Sequence, residues 1–180
     1  MPQHWSARRI VFLGAIGGML AGMMMALTEM LYGWVSDGRT FWDAPMAIWS
    51  WVFGLDHFGE PANHVWPIIL GMGAHMVNSM MVGVVFAGLM VALRARGVAV
   101  PVMVGVAYAL GIWAFMRYAI LPLNNGEEAL FTTDQVSPQW VWWLSHAFLG
   151  MTAGLYFGAV RRLFPAAPYE HEDPQLRRAA

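Results

Sequence analysis

The residues best placed to do chemistry in this 180-residue chain are two histidines in matching surroundings. Residues 75–86 read HMVNSMMVGVVF and residues 146–157 read HAFLGMTAGLYF, so each His is followed by Met at +5, Gly at +8 and Phe at +11. Both copies lie inside long apolar runs, where an ionisable side chain is costly and points to a purpose. Three uses fit His75 and His146. They can make interhelical hydrogen bonds that fix register, each worth on the order of 1 kcal/mol. They can ligate one haem b iron axially as neutral imidazoles, with Gly150 and Gly154 clearing room for the porphyrin. They can also handle protons or ions, because His titrates near physiological pH. The structural use is the first expectation, with no cofactor and no metal; haem b is the alternative.

Depth counting gives these histidines company. Glu29 lies 20 residues beyond Arg9, and Arg117 lies 20 beyond Gly97. At 1.5 Å per residue both are about 30 Å from the Arg-rich ends, with His75 at about 28 Å and His146 at about 22 Å. Asn78 and Ser79 fall just below. The expectation is one polar layer of Glu29, Arg117, His75, His146, Asn78 and Ser79, with Glu29 and Arg117 as an ion pair. His4, His57, His64 and His171 lie outside the apolar runs and read as surface residues.

The elements that must position this layer are apolar spans. Hydrophobic residues make up 58% of the chain and charged residues 12%, against roughly a quarter charged in soluble domains. Four stretches are long enough to cross a bilayer as helices: about 10–35, 65–93, 98–121 and 141–164. Barrel strands would instead give short alternating segments. The fold class expected is therefore an all-α integral membrane protein with four transmembrane helices. The His repeat maps the second span onto the fourth, and Leu20-Ala21-Gly22 onto Ala109-Leu110-Gly111, which makes the chain a duplicated two-helix hairpin.

Small residues supply packing faces: Gly14, Gly18 and Gly22 on the first span, Gly150 and Gly154 on the fourth, and Gly71, His75, Asn78 and Val82 on the second. Residues 41–54, FWDAPMAIWSWVFG, are apolar and too short to span. They read as an interfacial helix over about 43–54 on the outer leaflet, with Asp43 as cap and Pro45 in the first turn. The runner-up is a segment packed over the bundle. The Trp-rich stretch Trp42–Phe53 offers a docking surface for a membrane-protein partner or a second copy of the chain.

Arg8, Arg9, Arg94, Arg96, Arg161, Arg162, Arg177 and Arg178 flank one set of span ends, and short Arg-rich loops stay in the cytoplasm. Both termini and the tail 165–180 are then cytoplasmic. With no Cys, disulfides and thiolate sites are excluded. No nucleophile elbow, phosphate-cradling loop, zinc spacing or nucleic-acid pattern is present, so neither an enzyme nor a nucleic-acid partner is expected. The role expected is an accessory, assembly or stress-related subunit in contact with lipid and other membrane proteins.

Three short motifs carry a family likeness. Ala74-His75-Met76-Val77-Asn78, Ser145-His146 and Ala159-Val160-Arg161-Arg162 resemble the YagU-like bacterial inner-membrane proteins over roughly residues 64–164. The resemblance implies a small four-span protein of the bacterial inner membrane, a link to acid resistance through at least one member, and His75 and His146 as family features. Residues 36–64 do not match that pattern.

Overall fold

A computed structural model describes residues 3–36, 38–53, 65–120, 137–163 and 167–168. Residues 54–64 and 121–136, between the expected elements, and the tail 165–180 apart from 167–168 lie outside these residues. The described part is helical. Helix α1 spans Ala7–Val35, α2 Asp43–Phe53, α3 Val65–Ala92, α4 Ala99–Phe115 with a π-helical turn Met116–Ile120, and α5 Gln139–Leu163. A two-residue antiparallel ladder joins β1, Gln3–His4, to β2, Ala167–Pro168.

Among the described residues three helices are long and apolar enough to cross a membrane: α1, α3, and α4 with its π turn. Helix α5 has the length, 25 residues, but Trp140, Trp142, Trp143, Ser145 and His146 dilute its apolar character. None of the long helices has a strong amphipathic stripe, as expected when lipid rather than water surrounds the bundle. Pro67 and Pro101 sit in the first turns of α3 and α4, where the missing N–H is harmless.

Packing follows a period of four. On α3 the buried residues include Pro67, Gly71, His75, Ser79, Gly83 and Ala87; on α4 they are Pro101, Gly105, Ala109 and Trp113. This spacing stacks small residues on one line, letting backbones meet. Helix α1 lies against α3, and a Cβ added at Gly14 would stand 2.7 Å from Val84 Cα, one at Gly18 2.9 Å from Gly83 Cα. Helix α4 lies against α5, where a Cβ at Gly150 would stand 2.7 Å from Val106 Cα and one at Gly154 2.5 Å from Pro101 O. Helix α1 also packs on α5, with Gly17 under the Tyr156 ring. The core between them holds Ala21, Met25, Phe86, Met90, Ala109, Leu149 and Phe157. Tyr108 donates to the Val82 carbonyl at 3.1 Å and ties α4 to α3.

Two of the expected packing details change. Asn78 is exposed, and the row through His75 continues to Ser79 and Gly83. A step of three residues rotates 300°, and a step of four 400°; the four-residue row is the one that follows the α1 groove. The match of Gly22 to Gly111 also shifts by two. Gly105 faces Gly150 as Gly18 faces Ser79, which would set Ala109 rather than Gly111 against Gly22 in a duplicated chain, and Gly111 has nothing within 4 Å of its would-be Cβ.

The hairpin between α3 and α4 closes by a left-handed cap. Arg94 has φ 50°; its N–H donates to Val91 O at 3.0 Å, and Ala95 N–H donates to Met90 O at 3.1 Å. This is the Schellman pattern, sealed by the buried pair Met90 and Ala95.

Candidate functional site: a buried carboxyl, hydroxyl and imidazole cluster

The polar cluster is built where α1, α3 and α5 meet below α2. Glu29 on α1 is buried, at 4% exposure. Its Oε1 accepts a hydrogen bond from Ser145 Oγ on α5 at 2.7 Å. The expected Glu29–Arg117 ion pair does not form: Arg117 sits half-buried in the π-helical turn, and Glu29 is engaged by Ser145 instead. Helix α4 packs chiefly on α5 rather than on α1, the helix that carries Glu29. Ser145 has one hydroxyl proton and two acceptors in reach, Glu29 Oε1 and the Trp142 carbonyl at 3.1 Å.

The two histidines are both buried but held differently. His75 Nε2 lies 2.9 Å from the Gly22 carbonyl across the α1–α3 contact. His146 Nδ1 lies 2.9 Å from the carbonyl of Trp142 in its own helix. A carbonyl only accepts, so His75 carries its proton on Nε2 and His146 on Nδ1. Glycine accounts for the reach of His75. At Gly22 the absent Cβ lets the His75 imidazole reach the backbone, whereas His146 turns back along α5 beside the Trp113 ring, 6.4 Å away. Ser79 is buried against Gly18 and Gly22. Asn78 has no hydrogen-bond partner among the described residues and takes no part in the cluster.

Helix α2 covers this end of the bundle. Asp43 is buried at 2% exposure, and its carboxylate is held by the Thr40 N–H at 2.8 Å and the Thr40 hydroxyl. Thr40 Oγ1 in turn accepts from the Trp42 N–H at 3.3 Å. Thr40 and Asp43 therefore cap the helix reciprocally, rather than Asp43 alone. Ala44 joins a cluster with Ala26, Met30 and Met72, and Ala47 one with Trp113 and Trp142. The segment from Asp43 to Ala47 is turned into the bundle, which is the runner-up of the sequence reading. Trp42 is exposed, while the side chains of residues 49–53 lie outside the described ones. The docking surface expected along Trp42–Phe53 thus loses its first turn to internal packing.

Gly150 and Gly154, expected to clear room for a porphyrin, are packed against a neighbouring helix. The faces of Gly150 and Gly154 meet the α4 backbone at Gly105, Pro101 and Val102. The voids beside them, lined by residues such as Ser79, Phe86 and Tyr108, each admit about one water molecule. Among the described residues no group of three His, Cys, Asp or Glu could hold a metal ion.

Sequence reasoning missed Ser145 as the partner of Glu29. The available signal was a hydroxyl beside His146, in the same turn and at similar depth. Long apolar helices enclosing a buried ionisable cluster define an all-helical integral membrane protein. Comparison with protein-family models, curated proteins and solved structures gives no match.

Proposed function

We propose that the chain is a non-enzymatic four-span protein of a bacterial inner membrane that holds an exchangeable proton at Glu29, Ser145 and His146. Pairing of β1 with β2 supports an even number of crossings, since it joins the two ends of the chain beside one end of the bundle. On this reading α5, about 38 Å long, is the fourth span. The arginines at that end support a cytoplasmic orientation. The two Gly-sealed pairs, α1 with α3 and α4 with α5, support a duplicated hairpin, and the resemblance to YagU-like proteins agrees with this placement.

One observation carries the proton reading: the buried Glu29 carboxyl engages a hydroxyl rather than a cation. An ionisable side chain within a membrane span is by default a functional-site hypothesis. Ser145 suits both states of Glu29. Facing a carboxylate, its hydroxyl donates to Oε1. Facing a carboxylic acid, its oxygen accepts and its proton turns to the Trp142 carbonyl. No helix has to move. His146, one residue on, is the next group able to take or give a proton.

Infrared difference spectroscopy of the full chain in nanodiscs tests this. The expected result is a carboxylic-acid band that exchanges with the carboxylate band as pH is stepped, disappears in Glu29→Gln and shifts in Ser145→Ala. A band that ignores pH throughout the range where the protein stays folded, or that survives Glu29→Gln, sinks the reading.

A further inference from the structure

The outward side of α3 carries a polar group with nothing to bond to. Helix α1 packs on α3 through Ser79 and Gly83, and Met72 joins the cluster under α2. The side left bare holds Leu70, Ala74, Val77, Asn78, Met81 and Val85, all exposed. Asn78 lies at the midpoint of the 28-residue helix, about 20 Å from either end. Its amide carries donors and an acceptor, and neither is hydrogen-bonded to a described residue. Hydroxyls in apolar helices meet this need within their own backbone, as Thr28 Oγ1 on α1 does by donating to the Met24 carbonyl at 2.9 Å. An unsatisfied amide in hydrocarbon is costly, and Asn, unlike Lys or Arg, is too short to snorkel to the headgroups.

Depth and chemistry together specify the partner. Among the described residues of α1, α3, α4 and α5, Asn78 is the one exposed amide, hydroxyl or charged side chain that stands clear of the helix ends; Arg8, Tyr118, Gln139 and Arg162 lie in first or last turns. A second copy inserted the same way carries its own Asn78 at the same depth. An amide is its own complement, since its N–H donates to the other's oxygen and its oxygen accepts in return. That reciprocity is what a two-fold interface requires. Ala74, one turn away on the same side, is small enough to let two helices approach.

We infer that the chain forms a parallel two-fold dimer through α3, in which the Asn78 amides of the two copies hydrogen-bond to each other. The inference rests on α3 crossing the bilayer and is independent of the proton reading at Glu29.

The test uses the full chain carrying donor or acceptor fluorophores, reconstituted in liposomes over a range of protein-to-lipid ratios, with energy transfer reporting association. Wild-type transfer is expected to fall on dilution into lipid along a monomer–dimer curve. Asn78→Leu removes the amide from an exposed position and should keep the helical circular dichroism of wild type. It should raise the dissociation constant about tenfold, and Asn78→Gln, which keeps an amide, should recover most of that loss. Because the chain has no Cys, Ala74→Cys with Asn78 intact should give a disulfide-linked dimer on mild oxidation. Met103→Cys, exposed on α4, should not. Wild-type protein that stays monomeric at every ratio, or Asn78→Leu that associates as tightly as wild type, overturns the dimer. Linkage through Met103→Cys and not through Ala74→Cys overturns α3 as its face. A different chain retained by wild type in native mass spectrometry and lost with Asn78→Leu overturns the second copy as the occupant.

Discussion

At the scale of single residues, the cluster turns on a hydroxyl. Ser145 is the hydrogen-bond partner of Glu29 Oε1, so Ser145→Ala leaves a buried carboxyl without its donor. We expect a loss of about 1–2 kcal/mol in reversible unfolding. Arg117→Gln should change stability by less than about 0.5 kcal/mol, because Arg117 is half-buried and Glu29 is engaged by Ser145. A larger loss for Arg117→Gln than for Ser145→Ala would mean that the ion pair, not the hydroxyl contact, holds the carboxyl. The same scale separates the twin histidines. Their motif is repeated, yet one imidazole crosses to the Gly22 carbonyl on another helix and the other returns to the Trp142 carbonyl on its own.

At the scale of elements, close backbone contact between α1 and α3 and between α4 and α5 makes glycine obligatory at some positions and incidental at others. A Cβ at Gly18 or Gly150 would drive into the facing backbone. Gly18→Ala and Gly150→Ala should each cost about 1–3 kcal/mol through forced separation of the helices. Gly73 and Gly88 have nothing within 4 Å of a would-be Cβ, so Gly73→Ala and Gly88→Ala should be neutral or stabilise by up to about 1 kcal/mol through helix propensity. Thermal unfolding of the four variants in one detergent checks the contrast; similar losses at all four would refute the packing assignment. Helix α2 adds a different lesson. Its first turn is short, apolar and Pro-containing, which suits an interface and a lid equally well, and only the contacts of Ala44 and Ala47 with four other helices decide for the lid.

For the whole molecule, the absence of Cys makes topology directly testable with single introduced cysteines. Gly38→Cys, in the α1–α2 turn, should react with a membrane-impermeant maleimide from outside intact cells. Arg96→Cys, in the α3–α4 turn, should react only after the membrane is opened. Labelling of both from the same side would break the four-span orientation. The amino-acid sequence alone determined that this is a helical membrane protein, where its long helices begin and end to within a few residues, and that ionisable side chains are carried inside them. Length, apolar content and the spacing of Arg are properties of each segment by itself, so they are readable along the chain. Choice of partner is not such a property. Glu29 meets Ser145 rather than Arg117, Ser79 rather than Asn78 faces α1, and α2 folds over the bundle rather than lying beside it. Each of these depends on the rotation of one helix against another, where a single residue step turns a side chain by 100°, and only the packed backbones fix that angle.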